Sequence, residues 1–381
     1  MRDWIRTRLD ELAAKQLLRD PVDSELHQSL APSGGAWLDA CSNDYLGLGA
    51  RSVSRETLDA LAGARVGAGA SRLVQGSFPD HRELEAELAD WLGADSCLLT
   101  LSAFAANVGL LPAIAEADSL IVSDSLNHAS IVDGCRLARA KVVVTPHLDV
   151  EAVEAALATH TGAAPAWVVV EGLFSMDGDS PDLKALRSSC DRFGAGLVVD
   201  EAHSVGVRGP GGSGEAAAQG VRPDVLVAGL GKAVGTQGGL VACSNELRQW
   251  LWNRARSFVF STAPSPLLTR LTLANVRAAR AADAARQRLA ARSAELRAAL
   301  AARGLPALPG AEGPILPIVL GSNERALAAM QEMRRRGILV QAIRPPTVPQ
   351  GAARLRLTAH ADWPDNAVAR IVEGLEAACA S

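Results

Sequence analysis

The stretch Leu197–Gly235, LVVDEAHSVGVRGPGGSGEAAAQGVRPDVLVAGLGKAVG, decides the fold of this 381-residue chain. It contains two short apolar runs, Leu197–Val199 and Val225–Ala228, and each run ends where polar residues begin. Uninterrupted apolar runs of this length are typical of strands that are buried on both faces of a parallel sheet. Ligands of such sheets bind beyond the carboxyl ends of the strands. The stretch therefore predicts an α/β fold with a functional site at one edge of its sheet.

Two groups of opposite charge follow these predicted strands. Asp200 ends the first run, and Lys232 follows the second one. Pyridoxal phosphate requires such a pair, since a lysine forms a Schiff base with it and an acidic side chain holds its ring nitrogen. Taken alone, the pair also has ordinary explanations. An Asp after a strand is often a helix cap, and a Lys in a glycine-rich loop is often simply solvated.

Two competing kinds of site fit the stretch less well. A phosphate-binding P-loop requires a glycine where this chain has Leu226, and a serine or threonine where Ala233 follows the lysine. A metal could use Asp200 and His203 as ligands. Because the chain has neither a Cys/His cluster nor a His-Glu-x-x-His pattern, we expect no metal.

Composition and charge favour a cytoplasmic globular protein. The chain is 48% hydrophobic and 21% charged, with a net charge of -4 at pH 7. Nucleic acids and anionic membranes are therefore poor candidates for partners. Six scattered cysteines without a Cys-x-x-Cys pair indicate a reducing compartment. The mixed charges of the N-terminus do not fit a targeting peptide, and uncharged residues 96–115 predict a strand and a buried helix rather than a membrane span.

The periodicity of the whole chain predicts two domains after an N-terminal segment. Residues 1–45 are the N-terminal segment. Their pattern predicts an amphipathic helix over about the first 20 residues and an irregular link after it. Residues 46–265 form the large α/β domain, in which apolar runs alternate with helical segments. Residues 266–381 are expected to contain one long helix, at 267–303, and a smaller α+β domain. The further predicted strands are Cys97–Leu101, Leu120–Val122, Val142–Val144, Trp167–Val170, PILPIVL, GILVQAI and ARLRLT, and the further helices are His81–Gly93 and Glu324–Arg336.

A series of longer motifs then narrows the interpretation. In chain order they are SNDYLGL, GSFPDHRELE, AFAAN, SLNHASI, EGLFSMDGD, VVDEAHSVGVRG, GLGKAVG, FSTAPSP and IRPPTVPQGAARLRLT. With these motifs, in this order and spacing, nearly the whole chain resembles the α-oxoamine synthases. These are fold-type-I pyridoxal phosphate enzymes that join an amino acid to an acyl-CoA. The resemblance implies a PLP-dependent acyltransferase that works as a homodimer with shared active sites.

The resemblance also implies roles for individual residues. Lys232 corresponds to the Schiff-base lysine, Asp200 to the partner of the ring nitrogen, and His128 to the residue that stacks on the ring. His203 and Ser175 correspond to residues near the ring oxygen, and His203 is counted with the catalytic set. Ala103 and Phe104 correspond to residues that contact the phosphate, and Ser261 and Thr262 to residues that reach the phosphate bound in the other subunit. The residues that correspond to substrate contacts are Arg19, Asn43, Thr347 and Arg356, with His128. Arg356 is expected to bind the amino-acid carboxylate, because its guanidinium matches that group's geometry.

The substrates implied by the closest resemblance are L-alanine and pimeloyl-CoA or pimeloyl-ACP, which condense with loss of carbon dioxide in biotin biosynthesis. Sister enzymes stay open as alternatives: 5-aminolevulinate synthase, 2-amino-3-ketobutyrate CoA ligase and serine palmitoyltransferase. Outside the family, a nicotinamide oxidoreductase would require a G-x-G-x-x-G after an early strand, and this sequence has no such motif there. A binding protein without cofactor would have no reason to place Lys232 beside Asp200.

Two residues depart from the family pattern. Family members usually have glycine at the position of Ala103 and threonine at the position of Gly229, where the hydroxyl reaches the phosphate. Since a hydrogen bond to a charged group contributes about 1.5–3 kcal/mol, the affinity for the cofactor is expected to fall unless another donor, such as Thr236, replaces it.

Overall fold

A computed structural model describes residues 1–19, 36–310 and 312–380, which form two compact units. The large unit comprises Asn43–Ser175 and Asp179–Gln287, and the small unit comprises Met1–Ser42, Met176–Gly178 and Arg288–Ser381. Residues 266–287 thus belong to the large unit, whereas the sequence predicted a domain limit before residue 266. The link expected after the N-terminal helix lies mostly outside the described residues.

The order of elements alternates between strands and helices through the large unit. The strands are β1 Leu38–Asp39, β2 Ser96–Thr100, β3 Leu120–Asp124, β4 Lys141–Thr145, β5 Ala166–Glu171, β6 Gly196–Asp200, β7 Val225–Gly229, β8 Gly239–Cys243, β9 Ile315–Gly321, β10 Ile338–Leu339, β11 Gln341–Ile343 and β12 Ala353–Thr358. The helices are α1 Arg2–Ala14, α2 Arg55–Leu61, α3 Pro79–Leu92, α4 Ala103–Ile114, α5 Ala129–Ala138, α6 Val150–Ala158, α7 Leu183–Phe193, α8 Glu215–Ala218, α9 Asn245–Arg254, α10 Arg256–Val259, α11 Pro266–Arg280, α12 Asp283–Ala302, α13 Asn323–Arg335 and α14 Ala367–Ala380.

A seven-stranded sheet forms the centre of the large unit, in the order β2-β8-β7-β6-β5-β3-β4. Strands β3 to β7 are parallel, and β8 runs antiparallel to both of its neighbours, β2 and β7. This mainly parallel sheet confirms the predicted α/β fold class and each of the predicted strands within it. The sequence did not reveal β8, because this strand follows a glycine-rich loop directly, with no helix to separate it from β7.

Helices cover both faces of the sheet, as its continuous apolar strands require. Val198 packs against one face together with Leu110 of α4 and Ile131 of α5. The next residue, Val199, packs against the other face together with Leu183 of α7. Because successive strand residues point to opposite faces, burial of both faces explains why these strands lack alternating polar residues.

Strand β8 begins directly beneath α4. A side chain at Gly239 would overlap the backbone of Ser102 and Ala103, so only glycine fits at this point. Gly239 pairs in register with Thr100 of β2 and with Gly229 of β7. The start of α4 is therefore held close to the end of β7.

The predicted long helix at 267–303 is wrong, since two helices, α11 and α12, occupy this stretch. The break depends on Arg286, a buried residue of α12. Its guanidinium donates hydrogen bonds to the carbonyl oxygens of Ala279 and Arg280, at 2.6 and 2.9 Å. These carbonyl oxygens lie at the end of α11, and the arginine supplies a side-chain donor to both, so it stabilises the break.

The small unit contains an antiparallel sheet in the order β11-β12-β9 and a short parallel pair, β1 and β10. Helix α1 is shorter than the predicted 20 residues, and its apolar residues are exposed, with Trp4 at 63%. Across both units, none of the helices among the described residues is long and apolar enough to cross a membrane.

Candidate active site

The predicted site residues of the large unit follow the carboxyl ends of its strands. Asp200 ends β6 and pairs in register with Glu171, which ends β5. Gly229 ends β7, the neighbour of β6 on its other side, and leads into Lys232. The loops after β2 and β3 supply Ala103 and His128. Because these five strands run in one direction, their polar ends meet at one edge of the sheet, where ligands of such folds bind.

Asp200 is the centre of a hydrogen-bonded network. Its Oδ2 accepts a hydrogen bond from Nδ2 of Asn107 at 2.7 Å, and its Oδ1 accepts one from the backbone of Ala202 at 2.9 Å. Asn107 also donates to Oγ of Ser130 at 3.0 Å, and this Oγ lies 2.7 Å from Nδ1 of His128. Asn107 and Ser130 therefore connect the predicted partner of the ring nitrogen to the predicted stacking histidine.

Burial sets the protonation states around Asp200. Burial, with the negative charge of Asp200, raises the pKa of Glu171 to about 8, so this carboxyl is neutral at pH 7. Burial, with the positive charge of Lys232, lowers the pKa of His128 in spite of the attraction of Asp200. A neutral imidazole suits a residue that packs on a protonated ring, because a second positive charge there would be repelled.

Lys232 takes part in a second network. Its Nζ lies 2.8 Å from Nε2 of His203, and Nδ1 of His203 lies 2.6 Å from the hydroxyl oxygen of Tyr45. The Tyr45 hydroxyl also donates to Oδ1 of Asn43 at 3.3 Å. The structure thus brings three predicted residues together, Lys232, His203 and Asn43, through a tyrosine to which the sequence assigned no role.

The first turn of α4 provides a site for an anion. Ser102 caps the helix, its hydroxyl accepting a hydrogen bond from the backbone of Ala105 at 3.1 Å. The amides at the start of a helix have no partners within it and favour negative charge. Ala103 and Phe104 carry such amides, in agreement with their predicted contact with a phosphate.

Thr236 is the predicted replacement for the hydroxyl that is absent at Gly229. Its own hydroxyl donates to the carbonyl oxygen of Leu230 at 3.2 Å, so its proton is already used within the loop. A Cβ placed at Gly229 would lie 3.6 Å from Cβ of Ala103, an ordinary contact. Both departures from the family pattern therefore occur at one point, where the methyl group of Ala103 faces the gap above Gly229.

These residues fit pyridoxal phosphate. The site offers a carboxylate for the ring nitrogen, an amine for the aldehyde carbon and a helix terminus for the phosphate. It also contains Oδ1 of Asn107 and Oε1 of Glu171, two buried oxygen atoms without a hydrogen-bond partner among the described residues. Unsatisfied buried atoms are rare in proteins, so their presence here supports a site that binds a polar ligand.

The other predicted residues of the large unit flank this centre. Ser175 is buried, and its backbone donates to Oε2 of Glu171 at 3.2 Å. Ser261 is half-buried and Thr262 is exposed, next to Phe260, which is 72% exposed.

The remaining predicted substrate residues lie in the small unit. Nη2 of Arg19 donates to Oγ1 of Thr347 at 3.3 Å. Arg344 donates to the carbonyl oxygens of Gln16 and Leu18, and burial, together with the charge of Arg19, lowers its pKa. Residues 16–19 are thereby tied to the loop that contains Thr347.

Arg356 lies separately from this pair, on β12. Its side chain is buried, and it donates to Oγ1 of Thr358 at 3.3 Å.

Sequence reasoning missed three residues of the site: Asn107, Tyr45 and Glu171. Each lies in a motif that was recognised, yet none was given a role. Helical spacing could have indicated Asn107, since it lies one turn after Ala103 on the helix that begins at the site. The roles of the other two depend on contacts between distant loops, which the sequence does not reveal.

The fold and this site define a fold-type-I enzyme that uses pyridoxal phosphate. The chain belongs to the aminotransferase class I and II family, whose model matches residues 36–375. Within it, the relatives and structures below confirm the resemblance to the α-oxoamine synthases.

Curated relatives carry the name 8-amino-7-oxononanoate synthase. The protein of Anaeromyxobacter dehalogenans (strain 2CP-1) is 46% identical over 93% of this chain and 90% of its own. The protein of Mycolicibacterium smegmatis is 42% identical over 96% of this chain and 92% of its own.

Solved structures of similar proteins agree with this family assignment. Serine palmitoyltransferase of Sphingomonas wittichii matches with a TM-score of 0.88 and 27% identity, over 99% of this chain and 96% of that one. A serine palmitoyltransferase structure that contains PLP reaches a TM-score of 0.89 at 27% identity, with the same coverage. The 8-amino-7-oxononanoate synthase of Francisella tularensis has the same fold, with a TM-score of 0.77 at 23% identity, over 90% of this chain and 97% of that one.

Proposed function

We propose that this protein condenses L-alanine with a pimeloyl thioester, pimeloyl-CoA or pimeloyl-ACP, releasing carbon dioxide and the thiol and giving 8-amino-7-oxononanoate for biotin biosynthesis. One observation carries the proposal. The chain is 46% identical, over nearly its whole length, to a relative with this name, and Lys232 follows the end of β7, the strand next to β6, which ends in Asp200. Among the sister enzymes, serine palmitoyltransferase is similar in structure at only 27% identity.

The residues divide the chemistry between them. Bound pyridoxal phosphate supplies an electron sink for bonds that break at the α-carbon of the amino acid. Lys232 anchors the cofactor and then, as a free amine, removes the α-proton of L-alanine as a general base. Asp200 would keep a proton on the ring nitrogen, and the neutral His128 would pack against the ring. His203 and Ser175 would contact the ring oxygen or its surroundings.

The small unit contains arginine side chains that can bind the carboxylates of the substrates. The buried guanidinium of Arg356 is proposed to bind the carboxylate of L-alanine. Arg19 and Arg344 are proposed to receive the far carboxylate of the pimeloyl group, with the hydroxyl of Thr347. The support is that burial, together with the charge of Arg19, lowers the pKa of Arg344, and a bound anion would relieve the repulsion between the two guanidinium groups.

We also propose that the protein is a homodimer with shared sites. Exposed apolar residues support it: Val66 at 77%, Val74 at 80% and Phe260 at 72%. Their segments lie side by side, because Ala263 donates to the carbonyl oxygen of Ala70 at 3.0 Å. An exposed apolar patch of this kind is typical of a protein interface, and it would bring Ser261 and Thr262 of one subunit to the other.

The cytoplasm is the proposed location. All six cysteines are free thiols in the structure, which suits a reducing compartment.

The experiment that tests this function is a comparison of substrates. It measures kcat/KM for pimeloyl-, succinyl-, acetyl- and palmitoyl-CoA, each with alanine, glycine and serine. Pimeloyl-CoA with L-alanine is expected to give the highest value. Alanine and glycine differ by one methyl group, worth about 1–3 kcal/mol, so some turnover of glycine is also expected. Highest activity with succinyl-CoA and glycine would instead establish 5-aminolevulinate synthase.

A further inference from the structure

Tyr45 is the only tyrosine of the chain, and it is completely buried. Its hydroxyl oxygen lies 2.6 Å from Nδ1 of His203 and 3.3 Å from Oδ1 of Asn43. Its ring meets the imidazole edge-on, with 6.2 Å between the ring centroids. A buried phenol normally has a hydrogen-bond partner, and here one partner is the histidine that faces Lys232. The hydroxyl is therefore aimed at the site and not merely accommodated in the core.

The two nitrogens of His203 connect Tyr45 to Lys232. Nε2 of His203 lies 2.8 Å from Nζ of Lys232. Because the hydrogen bond at one ring nitrogen decides which nitrogen carries the proton, the tyrosine hydroxyl influences what His203 presents to the amine.

The chain of hydrogen bonds can run in two directions. When Lys232 is a charged ammonium it donates to Nε2, His203 donates from Nδ1 to the Tyr45 oxygen, and Tyr45 donates to Asn43. When Lys232 is a neutral amine it can accept from Nε2, and Tyr45 then donates to Nδ1. A phenol hydroxyl can fill both roles, since it donates one hydrogen bond and also accepts.

We propose that Tyr45 is a positioning residue for catalysis: its hydroxyl holds the His203 ring against Lys232 in both charge states of the amine, donating to Asn43 when Lys232 is charged and to His203 when Lys232 is neutral. The proposal rests on the proposed function, in which Lys232 acts as a base and so passes through both charge states. Fixing the imidazole in this way would keep Lys232 aligned with the proton that it removes.

The first test compares Tyr45→Phe with a matched control. Phenylalanine fills the same space without the hydroxyl. Thr272→Val likewise removes one buried hydroxyl, which donates to the carbonyl oxygen of Leu268 at 2.8 Å within its own helix. With Tyr45→Phe, kcat is expected to fall about 10- to 100-fold, since loss of alignment costs up to about 10²-fold, while KM for L-alanine is unchanged. Thr272→Val is expected to change neither value.

The second test uses the single tyrosine as a spectroscopic probe. Protein that contains [ζ-13C]tyrosine gives one 13C resonance, which reports the hydrogen bonding of the Tyr45 hydroxyl. With the cofactor bound, this resonance is expected to shift in His203→Asn and also in Lys232→Ala, two contacts away. It is expected to stay in place in Thr272→Val.

A resonance that does not respond to Lys232→Ala, or an unchanged kcat in Tyr45→Phe, would overturn the proposal. The resonance keeps the proposal testable even where Tyr45→Phe fails to fold. It also separates this proposal from the proposed function. If the wild-type protein were inactive with every pimeloyl substrate but the resonance still responded to Lys232→Ala, the function would be wrong and the coupling of Tyr45 to Lys232 would stand.

Discussion

Single residues of the site obtain their chemical state from their surroundings. Asp200 and Glu171 are carboxyl groups at the ends of neighbouring strands, yet burial raises the pKa of Glu171 to about 8 and leaves it neutral at pH 7. Asp200 instead accepts two hydrogen bonds, from Asn107 and the backbone of Ala202. Two similar side chains thus have different roles, and only one is suited to hold a proton on the ring nitrogen.

The first prediction concerns these two carboxyl groups. Asp200→Asn is expected to lower kcat about 10³-fold, equivalent to about 4 kcal/mol, because an amide cannot keep the ring nitrogen protonated. Glu171→Gln replaces a neutral group by a neutral group and is expected to have a much smaller effect. Steady-state kinetics and the exchange of the α-proton of L-alanine measure both. Near-normal exchange in Asp200→Asn would mean that Asp200 only forms a turn.

The second prediction concerns Gly229 and its neighbour Ala103. Gly229→Thr is expected to leave the affinity for pyridoxal phosphate unchanged or to increase it up to about tenfold, the equivalent of 1.4 kcal/mol, because the new hydroxyl can reach the phosphate. Gly229→Val has the same shape without the hydroxyl and serves as the control. Cofactor dissociation constants are measured by titration of the apoprotein. A marked loss of affinity in both variants would show that the methyl group of Ala103 leaves no room for a branched side chain.

At the level of elements, a charged histidine joins loops that follow different strands. Nδ1 of His147 contacts Oδ1 of Asp124 at 2.9 Å, and its Nε2 contacts Oδ2 of Asp179 at 3.0 Å. Asp124 ends β3, His147 follows β4, and Asp179 belongs to the segment after β5. Burial opposes a charge on His147, but the hydrogen bonds to the two carboxylates outweigh it and raise its pKa to about 10. The contact of His147 with Asp179 therefore holds in place the segment after β5, which includes Ser175.

The third prediction is the pH dependence of this contact. The folded pKa of His147 is about 10, and its ordinary value is 6.5. The folded state therefore binds the additional proton between these values. The contribution to stability is fully present below about pH 6.5 and is lost as the pH rises through 10. Thermal unfolding from pH 6 to pH 10.5 is expected to show this loss in the wild type and a flatter profile in His147→Gln. Identical profiles would refute the assignment.

At the level of the whole molecule, the exposed apolar patch around Val66, Val74 and Phe260 supports assembly. Leu101 and Phe104, at the start of α4, are also exposed, at 41% and 46%. Phe104 lies beside His128, with 6.4 Å between ring centroids. Exposed apolar side chains therefore occur beside the active site as well, and a second subunit that covered Phe104 would also cover part of the site.

The fourth prediction follows from this patch. Phe260→Glu is expected to weaken the proposed dimer and to lower cofactor occupancy as well, because a charge buried in an apolar interface is costly. Val144→Glu provides the control, since Val144 is 63% exposed on the edge strand β4. Sedimentation velocity and cofactor absorbance measure both effects. A wild-type monomer fully loaded with cofactor would contradict the shared site.

The sequence by itself determined the fold class, the family and the cofactor of this protein. These properties depend on local patterns, such as the apolar runs that end in Asp200 and precede Lys232, and on motifs whose order is visible in one dimension. The sequence also located most of the predicted site residues at strand ends, because in a parallel sheet a strand end is already a position in space.

Only the tertiary structure decided how these residues are connected. The contacts of Tyr45 with His203 and of Asn107 with Asp200 join residues 158 and 93 positions apart. The break at Arg286 and the strand β8 likewise depend on backbone groups supplied by other elements. The neutral state of Glu171 depends on the burial around it. Hydrogen bonding, burial and backbone clearance arise from the packing of distant segments, and for this reason no local pattern could have predicted them.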